Sequence, residues 1–426
     1  MTRIVALDIG SSSVRAIAYD ESAAAEPGGA HLPTTTTDAD ELVAACRAVL
    51  AQVGEGDALA ISSFWHSLLV LGARGRPAGP VLTWRDLAGD PPPLDPAAYH
   101  ARTGCFLHPA YWPAKLADVR GASYVSFADY LLRELTGELR TSVSMASGTG
   151  LFDPNRLAWD AETLAAVGVD DAQLPPISDE PTAGTWAALG DGACSNLGAG
   201  CVGPGRVAVM VGTSAAVRVV YEAESAVPKP GLFLYRVDDR RFCEGGALSD
   251  GGNLHVWLEQ TLRGKRLDDI ANRPPAGHGL VFLPFLGGER SLGWDASRRG
   301  EVAGLTFATT PIDIAQAALE GVCYRIAAVL DAIGDAESVV VTGMGLLASA
   351  GWVQVLADVL GRPLEVSGAP EGSARGAAVV ALERLGLAVP AAPIDRVVEP
   401  RPGYHEIHLA AMEEQRKLMQ RQEEER

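Results

Sequence analysis

Two stretches of this chain are variations on one pattern, and that repetition limits the folds open to it. IVALDIGSSSVRAIAYD (4–20) and VAVMVGTSAAVRVVYE (207–222) each run an apolar strand into a glycine-led turn of small hydroxyl residues. Both then pass through Val-Arg into a second apolar strand. Aligning Gly10 with Gly212 sets Ser11-Ser12 over Thr213-Ser214, and one gap brings Val14-Arg15 over Val217-Arg218. A hairpin that recurs in each half predicts two related α/β domains facing each other across a cleft. The length of 426 residues agrees, since a single hydrophobic core stops growing at about 250–300 residues. The first copy also carries Asp8, a carboxylate at the tip of a strand that otherwise reads as core.

The formal charge of −18 excludes a nucleic-acid or anionic-membrane face, because binding phosphates over a whole surface needs a basic field. An anionic ligand would have to be held locally. Six cysteines are scattered with no CxxC pair, so neither a zinc ribbon nor a disulfide framework is expected, and they read as reduced cytosolic thiols. The first residues do not make a signal peptide, and no run approaches ~18 uninterrupted apolar residues. A cytoplasmic protein with a small-molecule partner is expected, with a homodimer left open.

The pattern predicts a helix over 38–53, a buried strand over 58–63 and, over 64–86, a strand, a Gly/Pro turn and another strand. A further helix is expected at 126–135. A Gly/Pro-rich stretch ending near Ala183 marks the boundary, giving domains 1–184 and 185–426. The second half shows helical spacing at 311–333 and 348–360 with the strand SVVVTG between. The charged end, MEEQRKLMQRQEEER, reads as a solvated or frayed helix.

Successive backbone N–H groups in a Gly/Ser turn form an anion-binding concavity, and two such turns in one cleft would grip a polyphosphate from both sides. Gly10, Ser11, Ser12, Gly212, Thr213 and Ser214 are the candidates, against the ordinary reading of Gly-Ser turns as hairpin connections. Asp8 would then hold Mg²⁺ through its water shell. Arg15 lies near enough to touch a transferring phosphate, whereas Arg218 reads as a solvated strand residue. A third cluster, VVVTGMGLLA, places Gly343, Met344 and Gly345 between a strand and a helix. It fits a dinucleotide fingerprint, with Glu365 about 20 residues on, so an NAD-dependent oxidoreductase is formally available. In a nucleoside-triphosphate reading, the same glycines let an adenine lie against the backbone.

In this order the three elements resemble the FGGY carbohydrate kinase family. LDIGSSSVRA is similar to its first phosphate motif, VMVGTSAAV to the second and VVVTGMGLLASAGWVQVLADVLGRPLEV to the adenosine segment. FLPFLGGERSLGWDASRRGEVAGLTF with ALEGVCYRI resembles the C-terminal signature. FWHSLL, TWRD, TGCFLHPAYWPAKL, SMASGTGLFD and GDGACSNLG look most like gluconokinase-type members. The resemblance implies a two-domain actin/hexokinase/Hsp70-like (ribonuclease H-like) α/β fold, with ATP and Mg²⁺ as cofactors. It sets Asp191 at the catalytic aspartate, where the local alternative is an Asx turn or helix N-cap.

Trp65, His66, Trp84, Arg85 and Asp86 cluster at two predicted strand ends and supply the aromatic wall and polar partners that a polyol needs. Arg85 is the expected partner of a sugar-acid carboxylate. Core packing of either Trp is the competing reading, and Asp250 and Asn253 read equally as cleft or turn residues. The expected activity is transfer of the γ-phosphate of MgATP to a sugar or sugar acid, gluconate first. A pentulose or polyol kinase, the oxidoreductase and a catalytically silent nucleotide-binding switch are the alternatives.

Overall fold

The computed structural model describes residues 2–262 and 267–425. Two mixed sheets organise the chain. The first runs in the order Ala30–Pro33, Ser13–Tyr19, Ile4–Ile9, Ala58–Ser63 and Leu189–Gly190. The second runs Phe233–Arg236, Arg241–Leu248, Ala215–Glu222, Arg206–Val211, Ser338–Thr342, Leu364–Ser367 and Ile394–Val398. In each, the leading strand pairs antiparallel with its hairpin partner on one side and parallel with the next strand on the other. Ile4–Ile9 is buried at all six positions, as a central strand covered on both faces must be.

Local signals set the main helices. Asp38 caps Ala39–Val53 by accepting from the Glu41 N–H. Ser126 and Asp129 form a reciprocal capping box on Phe127–Thr136. Pro311–Ile333 has its proline in the first turn and Gly334 after its end.

One apolar core combines the first sheet and Ala39–Val53 with the late helix Gly372–Arg384, and the other lies between the second sheet and Pro311–Ile333. Gly372–Arg384 meets the helix Asp191–Gly198 backbone to backbone: a Cβ on Gly376 would overlap Cys194, and one on Gly198 would overlap Gly372. Arg375 ties this junction, donating to the carbonyls of Gly198 (2.9 Å) and Ala23 (3.2 Å). No helix among the described residues is long and apolar enough to cross a membrane.

Three expectations are corrected. Leu69–Leu71 pairs with Ser123–Val125 rather than with a strand at 81–86, and only single bridges, Leu68 to Leu82 and Leu71 to Pro77, remain of the predicted hairpin. The helix expected at 348–360 is present as Ala350–Leu360, capped by Ser349 and preceded by the separate turn Met344–Leu347. The charged end is part of the packed helix Tyr404–Glu424, which buries His408, Gln415 and Leu418. Finally, the two hairpins differ in register. The first bend closes Gly10 N–H to Ser13 C=O, the second Gly212 N–H to Ser214 C=O, one residue sooner. Asp8 lies opposite Arg15 and Ile9 opposite Val14, while Met210 lies opposite Ala216 and Ala208 opposite Arg218. Arg218 therefore corresponds to Ile17, two residues farther from the bend than Arg15.

Candidate active site

Strand Ile4–Ile9 carries Asp8 into the interior at 6% exposure. Its Oδ1 accepts from Ser62 Oγ at 2.9 Å, and its Oδ2 lies 3.5 Å from Arg15 Nη1. Burial pushes the Asp8 carboxyl up to about 6 against the pull of Ser62 and Arg15, and the nearby charges of Asp191 and Glu371 add to the rise. Arg15 also reaches Glu371 at 3.1 Å, so its guanidinium is shared between two carboxylates from opposite halves of the chain.

The two bends leave open backbone. A Cβ at Gly10 or Gly212 would meet nothing nearer than 3.4 Å, so packing within the protein does not require these glycines. Gly343 and Gly345 are different. A Cβ on either would overlap the carbonyls of Val211 or Gly212, and Gly343 has a φ of +94°. These glycines let the turn 343–345 sit directly on the second bend. Gly252 and Asn253 donate to the carbonyls of Gly212 and Thr213, both at 2.9 Å, pinning the bend from the other side. Asn253 Oδ1 accepts from the Gly251 and Leu254 N–H groups, which makes it a turn residue. Met344 is 73% exposed at the edge of this group. Glu365 is held by Arg206 at 2.8 Å.

A cavity opens between the two halves, lined by Trp65, His66, Trp84, Tyr111, Asp191, Met210, Ser214, Arg218, Tyr235, Arg290 and Trp294. Trp65 is its anchor. The buried indole donates from Nε1 to Ser144 C=O at 3.0 Å and lies against Gly148, Gly190 and Gly192, where any Cβ would overlap the ring. Gly190 and Gly192 flank Asp191, so the GDG spelling is what allows the acid to sit beside the indole.

Asp191 opens the helix Asp191–Gly198, and its Oδ1 accepts from the Gly192 N–H at 2.8 Å. Burial raises its carboxyl above the usual range, while Arg218, the Gly192 and Trp65 N–H groups and Arg290 favour its charged form. Burial holds His66 neutral, down to about 3. Its Nδ1 lies 2.5 Å from the Gly148 carbonyl, which can only accept, so Nε2 is left as an acceptor.

Arg218 corrects its sequence reading. It is 8% exposed and lines the cavity. Gly192 leaves the space that its guanidinium occupies. Of the other first-half candidates, Trp84 lines the cavity between Arg85, 5.0 Å from its ring centre, and Arg290 at 4.8 Å. Arg85 is exposed at the rim and donates from Nη2 to Ser11 Oγ at 3.2 Å, which links the cavity to the first bend. Asp86 is exposed, absent from the lining, and accepts from the N–H (2.6 Å) and Oγ1 (3.0 Å) of Thr83 in a local turn. The structure thus gathers Trp65, His66, Trp84, Asp191 and Ser214, with Asp8 within electrostatic reach of Asp191.

Sequence reasoning passed over Tyr111, Tyr235, Arg290 and Trp294 as individual residues. Tyr111 and Tyr235 join hydroxyl to hydroxyl at 2.5 Å, and Trp294 stacks on Phe106 at 4.2 Å. Three of the four lie inside motifs already singled out, TGCFLHPAYWPAKL and FLPFLGGERSLGWDASRRG, and that was the available signal.

The model of the FGGY family of carbohydrate kinases, C-terminal domain, matches residues 207–383, and that of the N-terminal domain matches 112–188. A xylulose kinase of Streptomyces rubiginosus is 31% identical over 437 aligned positions, covering 91% of this chain and 89% of its own. A gluconokinase of Bacillus subtilis is 26% identical over 381 positions, covering 77% and 74%. The crystal structure of gluconate kinase from Lactobacillus acidophilus superposes with a TM-score of 0.85 at 23% identity, covering 98% of this chain and 97% of that one. That likeness establishes the actin/hexokinase-like fold.

Proposed function

Because this chain belongs to the FGGY family of carbohydrate kinases, phosphotransferases that act on sugar hydroxyls, we propose that it carries the γ-phosphate of MgATP to a hydroxyl of gluconate. The observation that carries this reading is one cleft in which Asp191 and Ser214 of the second bend line an aromatic, hydroxyl-accepting cavity, with Asp8 within electrostatic reach of Asp191.

Phosphoryl transfer asks the protein mainly for positioning and charge neutralisation. The N–H groups of Ser11, Ser12, Thr213 and Ser214 hold the phosphates, and the turn 343–345 supports the adenosine. Asp8 suits a magnesium ion held through water, since a cation would relieve the unfavourable buried charge that raises its carboxyl. Magnesium bound there supplies neutralisation of the phosphate oxygens. The sugar lies on Trp65 and Trp84, with His66 Nε2 accepting from one of its hydroxyls. Asp191 takes the proton of the attacking hydroxyl as its oxygen bonds to the γ-phosphorus. The bond to the β-phosphate oxygen breaks, and ADP leaves with that electron pair. A base in this role contributes ~10²–10⁴-fold. The units 1–184 and 185–426 close on the substrates and keep water from the γ-phosphate. The reaction takes place in the cytoplasm.

Gluconate is favoured by the gluconokinase relative. The 31% identity to a xylulose kinase supports the second reading, a pentulose kinase. Mixing the protein with MgATP and a panel of aldonic acids, pentuloses and polyols separates them. ADP release with gluconate alone supports the first reading and release with a pentulose alone the second, while NAD binding without ATP binding would overturn both.

A further inference from the structure

The cavity beside Asp191 holds more positive charge than the protein itself neutralises. Arg218 and Arg290 both line it, and neither forms an ion pair with a carboxylate among the described residues. Arg218 Nε and Nη1 are buried with no hydrogen-bond partner, and so is Arg290 Nε. Arg290 Nη2 alone is satisfied, by Leu248 C=O at 2.6 Å. The facing groups do not balance them. His66 and His108 are held neutral by burial, and Lys115 is spent on the Pro109 and Ala110 carbonyls. Asp191 offsets one charge, and Asp250, whose carboxyl burial pushes up to about 7, offsets the other only in part. A buried guanidinium with empty donors is unfavourable unless a ligand fills them, and the planar fork fits a carboxylate bidentately.

We infer that Arg218 and Arg290 form a carboxylate-binding subsite, and that the substrate is a monocarboxylic sugar acid gripped there. The inference rests on the sugar-kinase reading and moves acid recognition away from Arg85, which is exposed at the rim and bonded to Ser11. The glycine at 192 belongs to the subsite, because a side chain there would run into Arg218 Cζ. A neutral polyol of the same length leaves both arginines unfilled, so it binds less well than the acid.

The test is calorimetric titration of the full chain, with and without MgADP, using gluconate and its uncharged counterpart glucitol. Wild type is expected to prefer the acid by tenfold or more. Arg218→Gln and Arg290→Gln each bring the ratio towards one, and Arg85→Gln leaves most of it. A wild-type ratio near one, a ratio that survives both replacements, or a ratio lost only in Arg85→Gln overturns the subsite. Melting curves report whether each variant folds. If a glutamine variant does not, the lysine variant is read instead: it keeps the charge without the fork, so an unchanged ratio again overturns the proposal. Turnover with MgATP is measured in parallel. Phosphorylation of neutral sugars without acid preference removes the subsite and leaves the kinase, whereas acid binding without any phosphoryl transfer removes the kinase reading and leaves the subsite.

Discussion

The indole of Trp65 and the backbone of Gly190 are in such close contact that any side-chain carbon at 190 would overlap Cε2 of the ring. Gly190 has an ordinary φ of −66°, so space rather than backbone freedom keeps it glycine. Gly190→Ala should displace the ring and with it Asp191. The expected result is a loss of about 1–3 kcal/mol of stability from overpacking, together with a fall in kcat. Wild-type melting temperature and kcat in this variant would show that the contact positions nothing.

Asp191→Ala should reduce kcat by ~10²–10⁴-fold, the usual contribution of a general base, while ATP affinity measured by titration stays close to wild type. Retention of more than about a tenth of the wild-type rate would exclude the base role.

The pH profile of kcat tests the electrostatics around that acid. Asp191 must be ionised to accept a proton, and burial already raises its carboxyl while Arg218 favours the charged form. Removing a cation makes ionisation harder, so Arg218→Gln moves the acidic limb to higher pH. A limb that stays in place, or moves down, contradicts this arrangement.

Asp250 predicts a stability effect with a definite sign. It is 3% exposed, and burial lifts it to about 7 against the pull of the Leu286 and Gly287 N–H groups and of Arg290. Between the ordinary value of 3.8 and about 7, the unfolded chain has released this proton and the folded chain has not. Its contribution to stability therefore falls as pH rises through that window and stays low above it. Asp250→Asn should melt higher than wild type at pH 8 and equally at pH 4. Equal melting temperatures at both values would mean that the carboxylate is satisfied in solution.

Gly345→Ala probes the turn that rests on the second bend. The new methyl would press on the Gly212 carbonyl and shift the segment assigned to adenosine. The KM for ATP should rise roughly tenfold with a smaller change for the sugar, because small misplacements in a binding frame are expensive. An unchanged KM for ATP would detach this turn from nucleotide binding.

Much of the frame was legible because local chemistry dictated it. Thr310, Pro311 and Gly334 delimit a 23-residue helix by capping rules alone, and Asp38 and Ser126 announce two others. Contacts distant in sequence were harder to read. Leu69–Leu71 takes its partner from Ser123–Val125, a pairing that no local pattern encodes. Arg218 was misjudged because the groups that cover it come from another element: Gly192 lies against its guanidinium, and Asn196 Nδ2 donates to its carbonyl. Arg290 and Trp294 come from the irregular stretch 284–300, where no periodicity marks an inward residue. In the last helix, polar Gln415 is buried to bond the carbonyls of Phe282 and Gly321, so its charged surroundings read as solvent.

The helix Gly372–Arg384 adds a consequence for biogenesis. Ala374, Ala377, Ala378, Val380 and Leu382 complete the core around Ile4–Ile9, although synthesis reaches them after most of the polypeptide has emerged. A nascent chain stopped at the proposed boundary would present an uncovered apolar sheet face. Maturation of the N-terminal half therefore waits on a helix translated after the strand Leu364–Ser367, and severing the gene at that junction should yield an aggregating fragment rescued by co-expressing the remainder.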